Sequence, residues 1–211
     1  NDYAGLTPGD SGPPVTDFPA RRAAAYQAFY EHMPLRASAL TRALAGLATG
    51  AELRLYGQAR IGRLATLTLL DARQYKDAPV CNPPGRLGAR HLDPAGCPEW
   101  QDPQRSMLGA AQERWLHETL GRAGDSRWTI LGQTTAFGPR DTRPGPGQRL
   151  WNDGWDGYAA ARRRLVGSLR QPTVANPVLL GGDVHENWVG TVKADYDDPT
   201  SAAIGTEFCG T

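Results

Sequence analysis

The stretch from Pro177 to Asn187 holds the densest chemistry in the sequence. An apolar run, Pro177-Val178-Leu179-Leu180, leads into Gly181-Gly182-Asp183-Val184-His185. A carboxylate and an imidazole two positions apart can turn toward one point, and the glycines ahead of them let backbone approach a ligand or metal closely. That pair suits a metal of intermediate hardness such as iron, manganese or zinc, and it suits general acid–base work. Asp-x-His after a strand is also a common hydrogen-bonded loop, so the motif has to be weighed with its surroundings.

Two other apolar runs end in polar residues. Leu69-Leu70 gives way to Asp71-Ala72-Arg73, and Ile130-Leu131 to Gly132-Gln133-Thr134-Thr135. Arg73 could clamp a phosphate with its forked guanidinium. The commoner reading is a local Asp71–Arg73 pair that holds the loop. The remaining histidines offer less: His117 falls mid-helix beside Trp115, and His32 sits at a helix end, where a cation suits the dipole. In Asp153-Gly154-Trp155-Asp156-Gly157-Tyr158, Asp156 reads as a helix N-cap and Trp155 as a packed anchor, with Trp155 and Tyr158 as possible pocket walls. Cys81 and Cys97 bracket a Pro/Gly-rich loop. A disulfide there would stabilise by about 3 kcal/mol and imply an oxidising compartment; two free thiols in a cytosolic protein is the competing reading. Cys209 reads as a small buried apolar residue.

The elements that must position these groups follow from periodicity. Residues 1–16 form a polar Gly/Pro segment without a regular element. Asp17 caps a helix in which Ala23, Tyr26, Phe29, Tyr30 and Met33 recur at helical spacing until Pro34. Leu53–Tyr56 and Ile61–Leu64 read as a hairpin about Gly57, followed by an interior strand over Ala65–Leu70. After an irregular insertion from Gln74 to Arg105, helices over Ser106–Leu120 and Gly157–Leu169 alternate with strands at Trp128–Leu131 and Pro177–Leu180. Strands separated by helices imply a largely parallel buried sheet, and Trp188–Val192 and Ala202–Phe208 an antiparallel extension. The fold class is α/β, and ligands in such sheets bind beyond the carboxyl ends of the strands.

Composition sets the outer limits. Across 211 residues, 23 Lys+Arg against 22 Asp+Glu leave a net charge of +1, without the basic footprint of a nucleic-acid binder. No apolar run approaches the roughly 18 residues of a membrane span. With 25 Gly and 17 Pro spread through the chain, the composition fits a loop-rich globular domain better than a disordered protein.

Gly181-Gly-Asp-Val-His185 resembles the last metal-binding motif of the PhoD-type alkaline phosphatases, a branch related to the calcineurin-like metallophosphoesterases and purple acid phosphatases. The resemblance continues through Asn1-Asp-Tyr-Ala-Gly5, Arg21–Leu35, Leu70–Tyr75, Met107–Leu116, Asp153–Tyr158 and Glu207-Phe-Cys-Gly-Thr211. It implies a metallophosphoesterase-like layered β-sandwich of mixed sheets flanked by helices. It also implies hydrolysis of phosphate mono- or diesters by a metal-activated oxygen nucleophile, with Fe3+ and Ca2+ as cofactors and small phosphate esters as substrates. Residue by residue, Asp183 matches a metal ligand, His185 the histidine beside metals and phosphate, and Asn1 and Glu207 oxygen ligands of the calcium type. The family's first ligands (a Cys, an Asp-x-x-Tyr element and an Asp-Asp-His-Glu motif) precede its Asn-Asp-Tyr motif. The expectation is therefore that residues 1–211 are one partial catalytic domain, incomplete at both ends and inactive alone. An exported or cell-envelope protein is what the family suggests. The alternatives are a non-catalytic relative of the fold and a metal-dependent hydrolase of another ester.

Overall fold

The computed structural model describes residues 3–10, 15–35, 53–122 and 124–211. Helix α1 spans Phe18–His32, and the Asp17 side chain accepts the Ala20 N–H at 3.0 Å, as its type and position predict. The apolar residues of α1 do not form a core face. Its buried residue is Arg22, while Phe29 and Met33 lie exposed.

The hairpin forms one strand later than the sequence pattern predicts. Strand β1, Gly57–Ile61, pairs antiparallel with β2, Ala65–Leu69, in the register Ile61↔Ala65. Gly62 at φ 52° turns the chain, a conformation glycine adopts without a Cβ penalty. Within the insertion, β3 (His91–Leu92) pairs with β5 (Leu150–Trp151), and two short 3-10 turns follow β3. A Cys81–Cys97 disulfide staples this segment, the first of the two readings that the sequence leaves open. Helix α2 spans Ala110–Gly121 and begins later than predicted, because Ser106 Oγ ties down the preceding turn by accepting the N–H groups of Leu108 and Gly109. Helix α3 spans Ala159–Leu169.

The main sheet has six strands in the order β1-β2-β4-β6-β8-β7, with β4 Trp128–Gly132, β6 Pro177–Gly181, β7 Trp188–Lys193 and β8 Ala203–Cys209. The pairs β2–β4 and β4–β6 are parallel, joined by crossovers through α2 and α3. Strands β7 and β8 pair antiparallel as expected, but β8 takes an unexpected place in the order. It inserts beside β6 as a further parallel strand and leaves β7 outside it at the edge.

One face of this sheet holds the core. Leu131 and Leu179 meet Leu116 and Leu120 of α2 and Leu165, Val166 and Leu169 of α3, with Phe137, Trp155 and Tyr158 closing the carboxyl end. Trp155 is thus the packed anchor the sequence suggested. The other face carries Leu69, Leu180, Phe208 and Val189 in one row across the strands, and these side chains are exposed. That open apolar row is what a second layer of a sandwich buries. The architecture is α/β: a mixed six-stranded sheet with helices against it, not closed into a barrel.

Candidate functional site

The carboxyl ends of β2, β4 and β6 deliver three loops to one edge of the sheet. After β6, Asp183 and His185 stand exposed and take φ values of 67° and 57°. Left-handed backbone at two non-glycine positions in one short turn is strain of a kind that clusters at functional sites. The turn is held from behind, where Val184 N–H donates to the Gly182 carbonyl at 2.8 Å and Gly210 N–H to the Gly181 carbonyl at 3.0 Å.

Gly181 has a different use from the one its sequence suggests. A Cβ there would overlap the Thr135 carbonyl and sit 2.8 Å from Gln133 Nε2, so the missing side chain lets two strand-end loops touch each other. At Gly182 the nearest such atom is Gly210 O at 3.6 Å, an ordinary contact. Gly181→Ala is therefore expected to lower the melting temperature by several degrees, corresponding to about 1–3 kcal/mol of overpacking. Gly182→Ala should shift it far less. Thermal melting of the two variants side by side checks this, and equal shifts would refute the account.

The loop after β2 corrects the reading of Asp71. Its Oδ1 accepts the backbone N–H of Arg73 at 3.0 Å and of Gln74 at 2.9 Å, and Gln112 closes around its main chain. Asp71 is a turn-forming residue and does not pair with the Arg73 guanidinium. That guanidinium instead makes a two-pronged ion pair with Asp153, Nη1 to Oδ1 and Nη2 to Oδ2, both 2.9 Å. Arg73 Nη1 also donates to the Tyr3 carbonyl at 3.1 Å, and Gly5 N–H donates to the Arg73 carbonyl at 3.2 Å. The N-terminal segment is thereby brought to the same sheet edge. Burial would lower the Arg73 pKa, but the hydrogen bonds and charge of Asp153, with further contributions from Tyr3 and Asp183, raise it. Burial would likewise raise the Asp153 carboxyl, and Arg73 and Lys76 hold it below the usual carboxylate range.

Glu207 lies elsewhere, on the helix-covered face of β8 opposite Leu179. It is buried, and its two oxygens accept the N–H groups of Phe137 at 2.5 Å and Gly138 at 2.8 Å. Asn1 lies outside the described residues. Asp156 is not the N-cap of α3: it is buried in the preceding 3-10 turn, pairs with Arg162 at 2.7 Å and accepts the Arg140 N–H at 2.9 Å. Gln133 is also structural, because its Oε1 accepts from Thr135 N and Trp155 Nε1.

For a metal, the donor chemistry of Asp183 and His185 fits a cation of intermediate hardness. The described residues alone do not complete a shell, however. Among them, three or more Asp, Glu, His or Cys ligand atoms lie within 4.8 Å of one another only at Cys81, Cys97 and Glu99, where the two sulfurs are bonded to each other. Sequence reasoning missed Asp153 as the partner of Arg73 and Lys76 as its neighbour. The only signal for Lys76 is its rarity, since it is one of two lysines in the chain.

The model of the PhoD-like phosphatase family matches residues 1–211. Alkaline phosphatase D of Bacillus subtilis (strain 168) is 36% identical over 211 residues, covering 100% of this chain and 33% of that protein. A solved structure titled "Structure of PhoD" superposes with a TM-score of 0.85 at 36% identity, over 100% of this chain and 37% of the other. The chain thus spans about a third of the length of the relatives it matches. With the Gly-Asp-x-His turn at the end of β6 and a match along its whole length, the chain belongs to the PhoD-like phosphatase family.

Proposed function

We propose that the protein acts as a metal-dependent phosphoric ester hydrolase, an alkaline phosphatase or phosphodiesterase, on small phosphate esters. The observation that carries this reading is that the parallel strands β2 and β6 send their following loops to one edge of the sheet in a chain of this family. One loop bears the fixed Arg73 guanidinium, which feels the charge of Asp183, and the other bears Asp183 and His185. Asp183 would hold a cation through its oxygens. His185 would stand beside cation and phosphate, able to donate a hydrogen bond or carry a proton at a ring nitrogen. Arg73 would bind phosphoryl oxygens with the donors that Asp153 and Tyr3 leave available. Asn1 and Glu207 are the further metal ligands we infer from the family resemblance, with iron and calcium as the metals. When bound, such cations offset charge on the phosphoryl oxygens and activate an oxygen nucleophile.

We also infer an exported protein whose catalytic domain extends beyond these residues. The Cys81–Cys97 disulfide supports export, because such bonds persist in oxidising compartments. No helix among the described residues is long and apolar enough to cross a membrane. The function is tested by phosphate release from a monoester and a diester by the native polypeptide, before and after chelation. Chelation should abolish turnover, and iron with calcium should restore it. Full turnover by protein stripped of metal would overturn the reading.

A further inference from the structure

We propose that Asp153, locked from behind by Lys76, is the positioning residue that aims Arg73 at the phosphate. The inference rests on Arg73 binding phosphate, as proposed above, and extends it to two residues that do not reach the site edge.

An arginine side chain has many rotamers, and a free one at a sheet edge would lose entropy on meeting a phosphate. Here that ordering has already happened. Asp153 grips both terminal nitrogens at 2.9 Å, in the fork geometry that fixes the plane of the guanidinium as well as its place. Asp153 is itself buried and comes from the turn after β5, so it cannot follow a moving arginine. Lys76, also buried, donates through Nζ to the Asp153 carbonyl at 3.0 Å and to its Oδ1. One lysine thus holds both backbone and side chain of the aspartate. The chain continues from Asp153 into the buried Trp155 and Tyr158, which tie that turn to the core. Through Arg73 Nη1, the same device also holds the Tyr3 carbonyl.

A local Asp71–Arg73 pair would have left the guanidinium on a loop. The long-range pair, across 80 residues of sequence, refers it to the core instead.

The test is a double-mutant cycle in the native polypeptide, read by inorganic phosphate binding (calorimetry) and by KM and kcat for a phosphomonoester. Asp153→Asn keeps the shape of the side chain but weakens the two-pronged grip. It should raise the phosphate dissociation constant and KM together by about 10- to 100-fold, the range for charge-assisted hydrogen bonds, with a smaller change in kcat. In an Arg73→Gln background the same substitution should cost little more, because its effect passes through Arg73. Additive losses would mean that Asp153 acts on the fold at large, and would overturn the inference. If Asp153→Asn does not fold, Asp153→Asn with Lys76→Met removes both buried charges together and enters the same cycle. Failure of that variant as well would assign the pair to the fold and equally overturn the proposal. A wild-type protein without phosphate-ester hydrolysis would instead refute the functional reading beneath it.

Discussion

Asp183→Asn should lower phosphate release by about 10³-fold while leaving the fold in place. The asparagine has the same shape and tolerates the left-handed backbone at φ 67°, so the turn after β6 keeps its course. An alanine would be a poorer test, because it would add backbone strain to the loss of the carboxylate. Asp183 is exposed and lies outside the hydrophobic cluster, so stability should change by no more than about 0.5 kcal/mol. What changes is the charge. An amide oxygen is a much weaker ligand for a multivalent cation than a carboxylate, so the metal content of the purified variant should fall along with turnover. Phosphate release, metal analysis and a thermal melt on the same preparation separate the two effects. Unchanged turnover in the folded variant would remove Asp183 from the site.

The second large effect is on stability. Glu207→Ala should destabilise the chain by about 3–5 kcal/mol. The carboxylate is buried and accepts two backbone N–H groups, those of Phe137 and Gly138, from the loop after β4. Alanine would leave the buried Phe137 N–H and the half-buried Gly138 N–H without their acceptor, and a cavity beside Phe137. Glu207→Gln keeps the volume and one acceptor oxygen but turns an N–H₂ toward a backbone N–H, so it should cost roughly half as much. Denaturant unfolding of both variants checks the order. Metal content of the folded glutamine variant checks the rest. Loss of a metal equivalent is the result expected from the ligand role inferred for Glu207, and full retention would leave the residue as a tie between β8 and the loop after β4 alone.

Much of the site could be read along the chain where the relevant partners are sequence neighbours. The run into Gly181-Gly182-Asp183-Val184-His185 announces a strand end with two polar side chains, because a buried parallel strand must be apolar and must stop where it meets water. The Asp17 cap and the helices over residues 110–121 and 159–169 follow from spacing for the same reason. The errors fall where the partner is remote. Sequence proximity pairs Arg73 with Asp71 two positions away, whereas the structure pairs it with Asp153. The position of Asp156 before a helix predicts a cap, but Arg162 and Arg140 claim its carboxylate instead. Helix α1 forms where its spacing and cap predict it, yet the side chain it buries is Arg22, whose guanidinium reaches the remote Gln74.

The sequence alone therefore determined the α/β class, the strand that ends in the Asp-x-His turn and the family resemblance. Each of these depends on short-range periodicity or on motif order along the chain. Tertiary structure alone decided that β8 inserts between β6 and β7, that Gly181 serves a contact between loops, and that a buried Asp153–Lys76 pair holds the candidate phosphate-binding arginine. Those outcomes depend on which surfaces meet once the crossovers close. Ion pairs and backbone approaches between residues some 80 positions apart leave no periodic trace in the sequence.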